Sequence, residues 1–211
     1  MTSLSNRTSM ALFSDPLDHY SQRVRIVMCE KGVTSEIIDT DSKDLDDEIL
    51  EVSPYAELPV LVDRDVCLYD SVILMEYLDE RFPHPPLLPV YPVARAQTRL
   101  ILHRFEADWC EPMDIIEDVA STKNEKNKNK KIIEKNLTNS LSLFNNQNFF
   151  RSDDLTVLDT VIMPILFRLP YFGIKIPSSN SAKALNEYIE RMRDYKSFSE
   201  SISESEKELL I

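Results

Sequence analysis

The sequence predicts two unlike halves, an α/β half of β-α-β-α-β-β-α order followed by an all-helical half. Three observations carry this. Short apolar runs bounded by turn residues recur through the first eighty or so residues. From Val93 onward the strand signals stop and apolar residues fall three and four apart. Between the two regimes, "DERFPHPPLLPVYPVAR" holds five of the twelve prolines, Pro83, Pro85, Pro86, Pro89 and Pro92. We place a first domain at 9–82, a proline-rich linking and binding segment at 83–92, and a helical domain with an acidic tail at 93–211.

In chain order, "MALF" at 10–13 reads as a buried strand, and "YSQRVRIVMCEKG" as a helix with Val24, Val27 and Met28 on one face. Gly32 then stands where a left-handed cap is wanted. "TSEIIDT" is a second strand and "KDLDDEILEVS" a short acidic helix; "LPVLVD" and "VCLYD" are strands separated by "RD". The helix "SVILMEYLDERF" begins at Asp70-Ser71, either of which can cap its first turn. In the second half, Leu102, Phe105 and Trp109 mark a helical stripe that points to a two-fold homodimer, its interface expected to join helices flanking the domain boundary of each subunit. "STKNEKNKNKKIIEKNLTNS" at 121–140 reads as a solvated helix end or loop rather than a basic arm. Thr156 and Asp159 form a T-x-x-D capping box, and Pro164 requires the following helix to be deeply buried or kinked. "KALNEYIERMRDY" is helical, and "SESEKELLI" reads as a frayed or weakly helical tail.

Composition narrows the function. Against 24 Lys plus Arg stand 36 Asp plus Glu, a net charge of −12, which repels phosphate backbones and anionic membranes. Sequence-specific DNA binding and membrane association are therefore not expected. The apolar run "VIMPILF" is far short of the roughly 18–20 residues of a membrane span, and "MTSLSNRTSMALF" lacks a secretory core, so a cytoplasmic protein is expected. Cys29, Cys67 and Cys110 have no metal-ligand spacing and read as reduced, mostly buried thiols. With only Gly32 and Gly173, no glycine-rich phosphate loop can be built. No cofactor and no metal is expected; His19 reads as shaping the first loop and His103 as part of a charged helix.

The element order, "LPVLVD", Asp70-Ser71 and the capping box together resemble the glutathione S-transferase superfamily, with its thioredoxin-like first domain and helical second domain. That resemblance implies a cis peptide before Pro59, making the Leu58 backbone available to a ligand, and places Asp70 and Ser71 at the γ-glutamyl end of glutathione. It also puts Asp18 where active members carry a reactive hydroxyl or thiol, and an anion there opposes a thiolate. Ser14, Tyr20 and Ser21 lie nearby as substitutes. We read Leu58, Pro59, Asp70 and Ser71 as vestigial positions, with no catalytic residue assigned.

Within that fold, "YSQRVRIVMCEKGV", "LVDRDVCLYDS", "MEYLDERFPHPPLLPVYPVAR" and "RLPYFGI" resemble the stringent starvation protein A family of bacteria. The resemblance implies a homodimeric transcription regulator that binds RNA polymerase holoenzyme, sigma factor included, through a Pro-His-Pro surface. Here that surface is Pro83, His84 and Pro85, with Pro86 beside them and Tyr91 as an aromatic edge. Two alternatives stay open: a glutathione-dependent transferase or reductase, and a non-catalytic partner that heterodimerises with a paralogue.

Overall fold

Strand β1 (Ala11–Ser14) runs parallel to β2 (Glu36–Asp39) and antiparallel to β3 (Val60–Asp63), which pairs antiparallel with β4 (Val66–Tyr69). The sheet order is β2-β1-β3-β4. With α1 (His19–Glu30), α2 (Asp47–Val52) and α3 (Ser71–Arg81) between and after the strands, the predicted β-α-β-α-β-β-α order is realised. The computed structural model describes residues 9–144 and 147–210. Most of the stretch read for a secretory core, and the last residue of the tail, lie outside the described residues.

One sheet face carries Phe13, Val60 and Val62 against Ile49 of α2, with Ile38, Leu45, Leu58 and Tyr69 around them. Alternation along each strand sends Leu12 and Leu61 to the other face, where both are equally buried. Helix α1 ends as its sequence dictates. Gly32 takes φ +60°, its amide donates to Cys29 O at 3.1 Å, and the Val33 amide reaches Met28 O at 3.0 Å.

The helical half runs through α4 (Pro92–Phe105), a π-helical stretch at Glu106–Cys110, α5 (Glu111–Glu117), α6 (Lys123–Ser140), α7 (Val157–Arg168) and α8 (Lys183–Asp194). Pro92 sits at the start of α4, where its missing amide costs nothing. Every residue of α7, Pro164 included, is buried. The Thr156–Asp159 capping box forms as expected. No helix among the described residues is long and apolar enough to cross a membrane.

Two expectations for helices α4 to α6 are corrected. Leu102, Phe105 and Trp109 do not face outward for a partner: they are 3%, 6% and 3% exposed inside the helical unit. Phe105 meets Trp109 and Phe150 edge-on, with ring centroids 5.3 and 5.5 Å apart. The π-helical stretch also shifts Trp109 out of the plain helical register assumed for the stripe. The large apolar residues α4 does expose are Val93 and Leu100. The Lys/Asn run is likewise more than a solvated end. It is an 18-residue helix, α6, capped reciprocally by Thr122 and Glu125 and burying Asn129, Ile133, Leu137 and Ser140 along one side.

The chain divides into two compact units, one of residues up to Pro86 together with Lys196–Leu209, the other of Leu87–Tyr195. The last helices, α9 (Lys196–Ser201) and α10 (Glu204–Leu210), thus belong with the sheet unit, not with the helical one that the sequence assigned them to. A buried cation is one of the ties. Arg25, 3% exposed on α1, donates to Glu206 at 2.8 Å and to Ser201 O at 2.8 Å, so the tail that read as frayed is the counter-ion of the first unit's core.

Candidate functional site

The sheet unit carries two places where function could reside. The first is the N-terminus of α1, where the superfamily resemblance leads one to expect a glutathione thiolate. A helix start attracts an anion because its first amides are unpartnered. Here the chain supplies its own: Asp18 accepts from the Tyr20 amide at 3.1 Å and from the Ser21 amide at 2.7 Å. Neighbouring hydroxyls are engaged as well. Ser14 Oγ, fully buried, accepts from Arg25 Nη1 at 2.7 Å, and Ser21 Oγ, also buried, accepts from the Asp15 amide at 3.1 Å. The Tyr20 ring packs against the His19 ring, centroids 4.1 Å apart, and against the Arg23 guanidinium, 4.5 Å from its centroid.

The same pattern recurs at α3. Asp70, in the left-handed region at φ 71°, accepts from the Val72 amide at 2.8 Å and the Ile73 amide at 3.1 Å, and Ser71 is buried. The Leu58–Pro59 peptide is cis, as expected, with Pro59 buried and Leu58 packed on the sheet core.

Burial works against the thiolate form of the cysteines. Burial first, then the Glu200 carboxylate, pushes the Cys29 thiol up; burial pushes Cys67 up; Cys110 is fully buried. Since the thiolate is the reactive form, all three are expected to react with Ellman's reagent at neutral pH more slowly than free cysteine. A thiol reacting at the free rate would contradict this. No group of three His, Cys, Asp or Glu side chains among the described residues is arranged to hold a metal ion.

The second place is the proline segment. Pro83, His84, Pro85 and Pro86 are all exposed and follow α3 in the sheet unit, and the His84–Pro85 peptide is cis. Leu87 and Leu88, immediately after, are buried in the helical unit, where Leu87 O accepts from the Val157 amide at 3.1 Å. Tyr91, 79% exposed, belongs to that helical unit as the residue capping α4. Sequence reasoning missed what holds the prolines. Lys31, at the end of α1, donates to Asp79 Oδ1 at 2.6 Å and to the Pro85 carbonyl, and its side chain is fully buried. A lysine before a helix-ending glycine looks like an ordinary solvated residue, and its partners lie 48 and 54 residues away, so no local signal marked it.

Comparison with known proteins bears on both places. Residues 12–86 match the glutathione S-transferase N-terminal domain family. The chain is 45% identical over 203 residues to a protein named stringent starvation protein A homolog in Coxiella burnetii, covering 96% of each. It is 42% identical to the homolog so named in Haemophilus ducreyi, covering 96% of this chain and 94% of that one. Among solved structures, a tau-class glutathione S-transferase from mango, Mangifera indica, superposes with a TM-score of 0.80 at 22% identity, over 95% of each chain. The bacterial glutathione S-transferase BphK gives 0.81 at 18% identity, over 91% of this chain and 97% of that one. These structural likenesses establish the fold, a glutathione S-transferase-like one.

Proposed function

This chain belongs to the stringent starvation protein A family, and from that membership we propose that it is a non-catalytic transcription regulator that docks on sigma-loaded RNA polymerase. It acts in the bacterial cytoplasm, in the stress or stationary-phase response, through protein contacts rather than base readout. The observation that carries the reading is the exposed ridge of Pro83, His84, Pro85 and Pro86. Proline rings fix φ in the free state, so a ridge of them loses little conformational freedom on docking. Pro and His rings in solvent also offer apolar area that the core does not use. The charge of −12 agrees with a partner met through basic protein surfaces and opposes direct binding to a phosphate backbone. Tyr91 is proposed as a further contact from the helical unit. The protein acts as a homodimer, and the exposed Val93 and Leu100 of α4 are the apolar residues we assign to that interface.

The decisive experiment replaces Pro83, His84 and Pro85 together by alanine and measures binding to purified sigma-loaded polymerase. Loss of ring contacts and gain of chain freedom act in the same direction. Binding is expected to weaken tenfold or more, about 1.4 kcal/mol per tenfold, with far-UV circular dichroism and a dimer mass of twice 24.4 kDa unchanged. Equal binding would refute the assignment of the ridge.

The competing reading, a glutathione-dependent transferase or reductase, draws on the family match over 12–86. Against it stands Asp18, already capping the helix start where the thiolate would go. Calorimetry with glutathione separates the two: tight saturable binding would favour the enzyme.

A further inference from the structure

We infer that Lys31 and Asp79 are positioning residues for the docking ridge, holding it in shape from beneath by gripping the Pro85 carbonyl. The inference rests on the reading of the ridge as the polymerase-binding surface, and the local geometry adds what that reading lacked. Pro83, Pro85 and Pro86 have no amide hydrogen. The segment can therefore be tied down only through carbonyls, side chains and the single amide of His84. Proline fixes φ but leaves ψ free, so the rings alone do not set how the ridge is presented. A donor from elsewhere must fix a carbonyl.

Lys31 is that donor. Its ammonium, on a fully buried side chain, bridges Asp79 Oδ1 at 2.6 Å and the Pro85 oxygen. The position suits a cation, since Lys31 caps the C-terminal end of α1, where the helix carbonyls make the potential negative. Asp79, 8% exposed on α3, neutralises a charge that otherwise would not enter this environment. The bridge thus joins α1 and α3 to the ridge. A buried ion pair is weak evidence for stability, because desolvation offsets much of the attraction, and an apolar pair of similar volume often serves as well. Stability and presentation of the ridge can therefore be separated by mutation.

The test uses the full-length chain and four proteins: wild type, Lys31→Met/Asp79→Leu, the alanine variant of Pro83, His84 and Pro85, and the combination of both. Two readouts are taken. The first is affinity for purified sigma-loaded polymerase. Removing the pair is expected to weaken binding about tenfold in the wild-type background and to have no further effect in the alanine background, the non-additivity of groups acting through one another. Lys31→Arg, which retains a cationic donor, should recover part of the loss. The second readout is the amide order parameter of His84, independent of polymerase. It is expected to fall from the rigid value of about 0.85 toward about 0.6 when the pair is removed, with α1 and α3 amides unchanged.

Wild-type affinity together with an unchanged His84 amide would overturn the inference. So would an equal loss in both backgrounds, which would place the pair's effect elsewhere. If the alanine variant binds like wild type, the docking reading of the ridge fails, and the His84 amide alone still decides whether Lys31 holds it. Should the apolar pair fail to fold, Lys31→Gln/Asp79→Asn removes both charges while keeping polar groups, and the same two readouts decide.

Discussion

Asp159→Ala is expected to destabilise the helical unit by about 3–5 kcal/mol, enough to threaten its folding. Asp159 is fully buried and accepts four hydrogen bonds: from the Phe150 amide at 2.7 Å, the Thr156 amide at 2.8 Å, Thr156 Oγ1 at 2.9 Å and Tyr188 Oη at 2.9 Å. Truncation leaves these donors facing a void, and each buried donor left unmade costs about 1–3 kcal/mol. The effect should read out on Trp109, the chain's single tryptophan, buried in the same unit. Its fluorescence transition in urea should move to lower denaturant; an unmoved midpoint would show that the capping box is dispensable.

The same carboxylate gives a pH signature. Burial raises its pKa, and the bonds from Phe150, Thr156 and Tyr188 lower it by less. A group whose pKa is higher in the folded state binds more protons there, so its contribution is fully present below the ordinary carboxylate value and is lost as pH rises through the raised one. The stability of wild type relative to Asp159→Asn should therefore grow as pH falls from neutral toward that ordinary range, the reverse of a salt-bridged aspartate. A growing deficit on acidification would overturn this.

Legibility in the sequence followed the range of the interaction. The order of strands and helices up to Arg81 was readable because alternation, helical spacing and Gly32 are local signals. Periodicity also found the helix carrying Leu102 and Phe105, yet misjudged what covers it. A stripe records that a face is buried, not whether its own unit or a second copy buries it. The Lys/Asn run was under-read since its first ten residues lack apolar side chains, although Thr122-x-x-Glu125 is a legible start signal and Ile133 and Leu137 a legible seam. At the candidate site, exposed rings could be expected from five prolines in one segment, whereas the Lys31–Asp79 bridge unites three distant places in the chain and left no local trace.

The tail shows the same division and supports the remaining large prediction. Ser203-x-x-Glu206 is a capping box in sequence, and it forms. Glu206 accepts from the Ser203 amide at 2.9 Å and its own amide donates to Ser203 Oγ at 3.0 Å. What the sequence did not disclose is that the same carboxylate, fully buried, neutralises Arg25 at 2.8 Å. Arg25 also donates to Ser201 O at 2.8 Å, Ser14 Oγ at 2.7 Å and Asp15 O at 3.1 Å, so one guanidinium ties the tail to the loop after β1. Glu206→Ala would leave that cation buried without its carboxylate, a change that costs about 3–5 kcal/mol when one partner of a buried pair is removed. We expect a lower melting temperature by far-UV circular dichroism and proteolytic cleavage within 196–209, since this pair is one of the ties that hold those residues to the sheet unit. Arg25→Met/Glu206→Leu, which removes both charges together, should melt above Glu206→Ala because no buried charge is left unpaired, although Ser14 Oγ, Ser201 O and Asp15 O lose their donor. If Glu206→Ala keeps the wild-type melt and a protected tail, the tail is held by Phe198 and its apolar neighbours, and the buried pair contributes little.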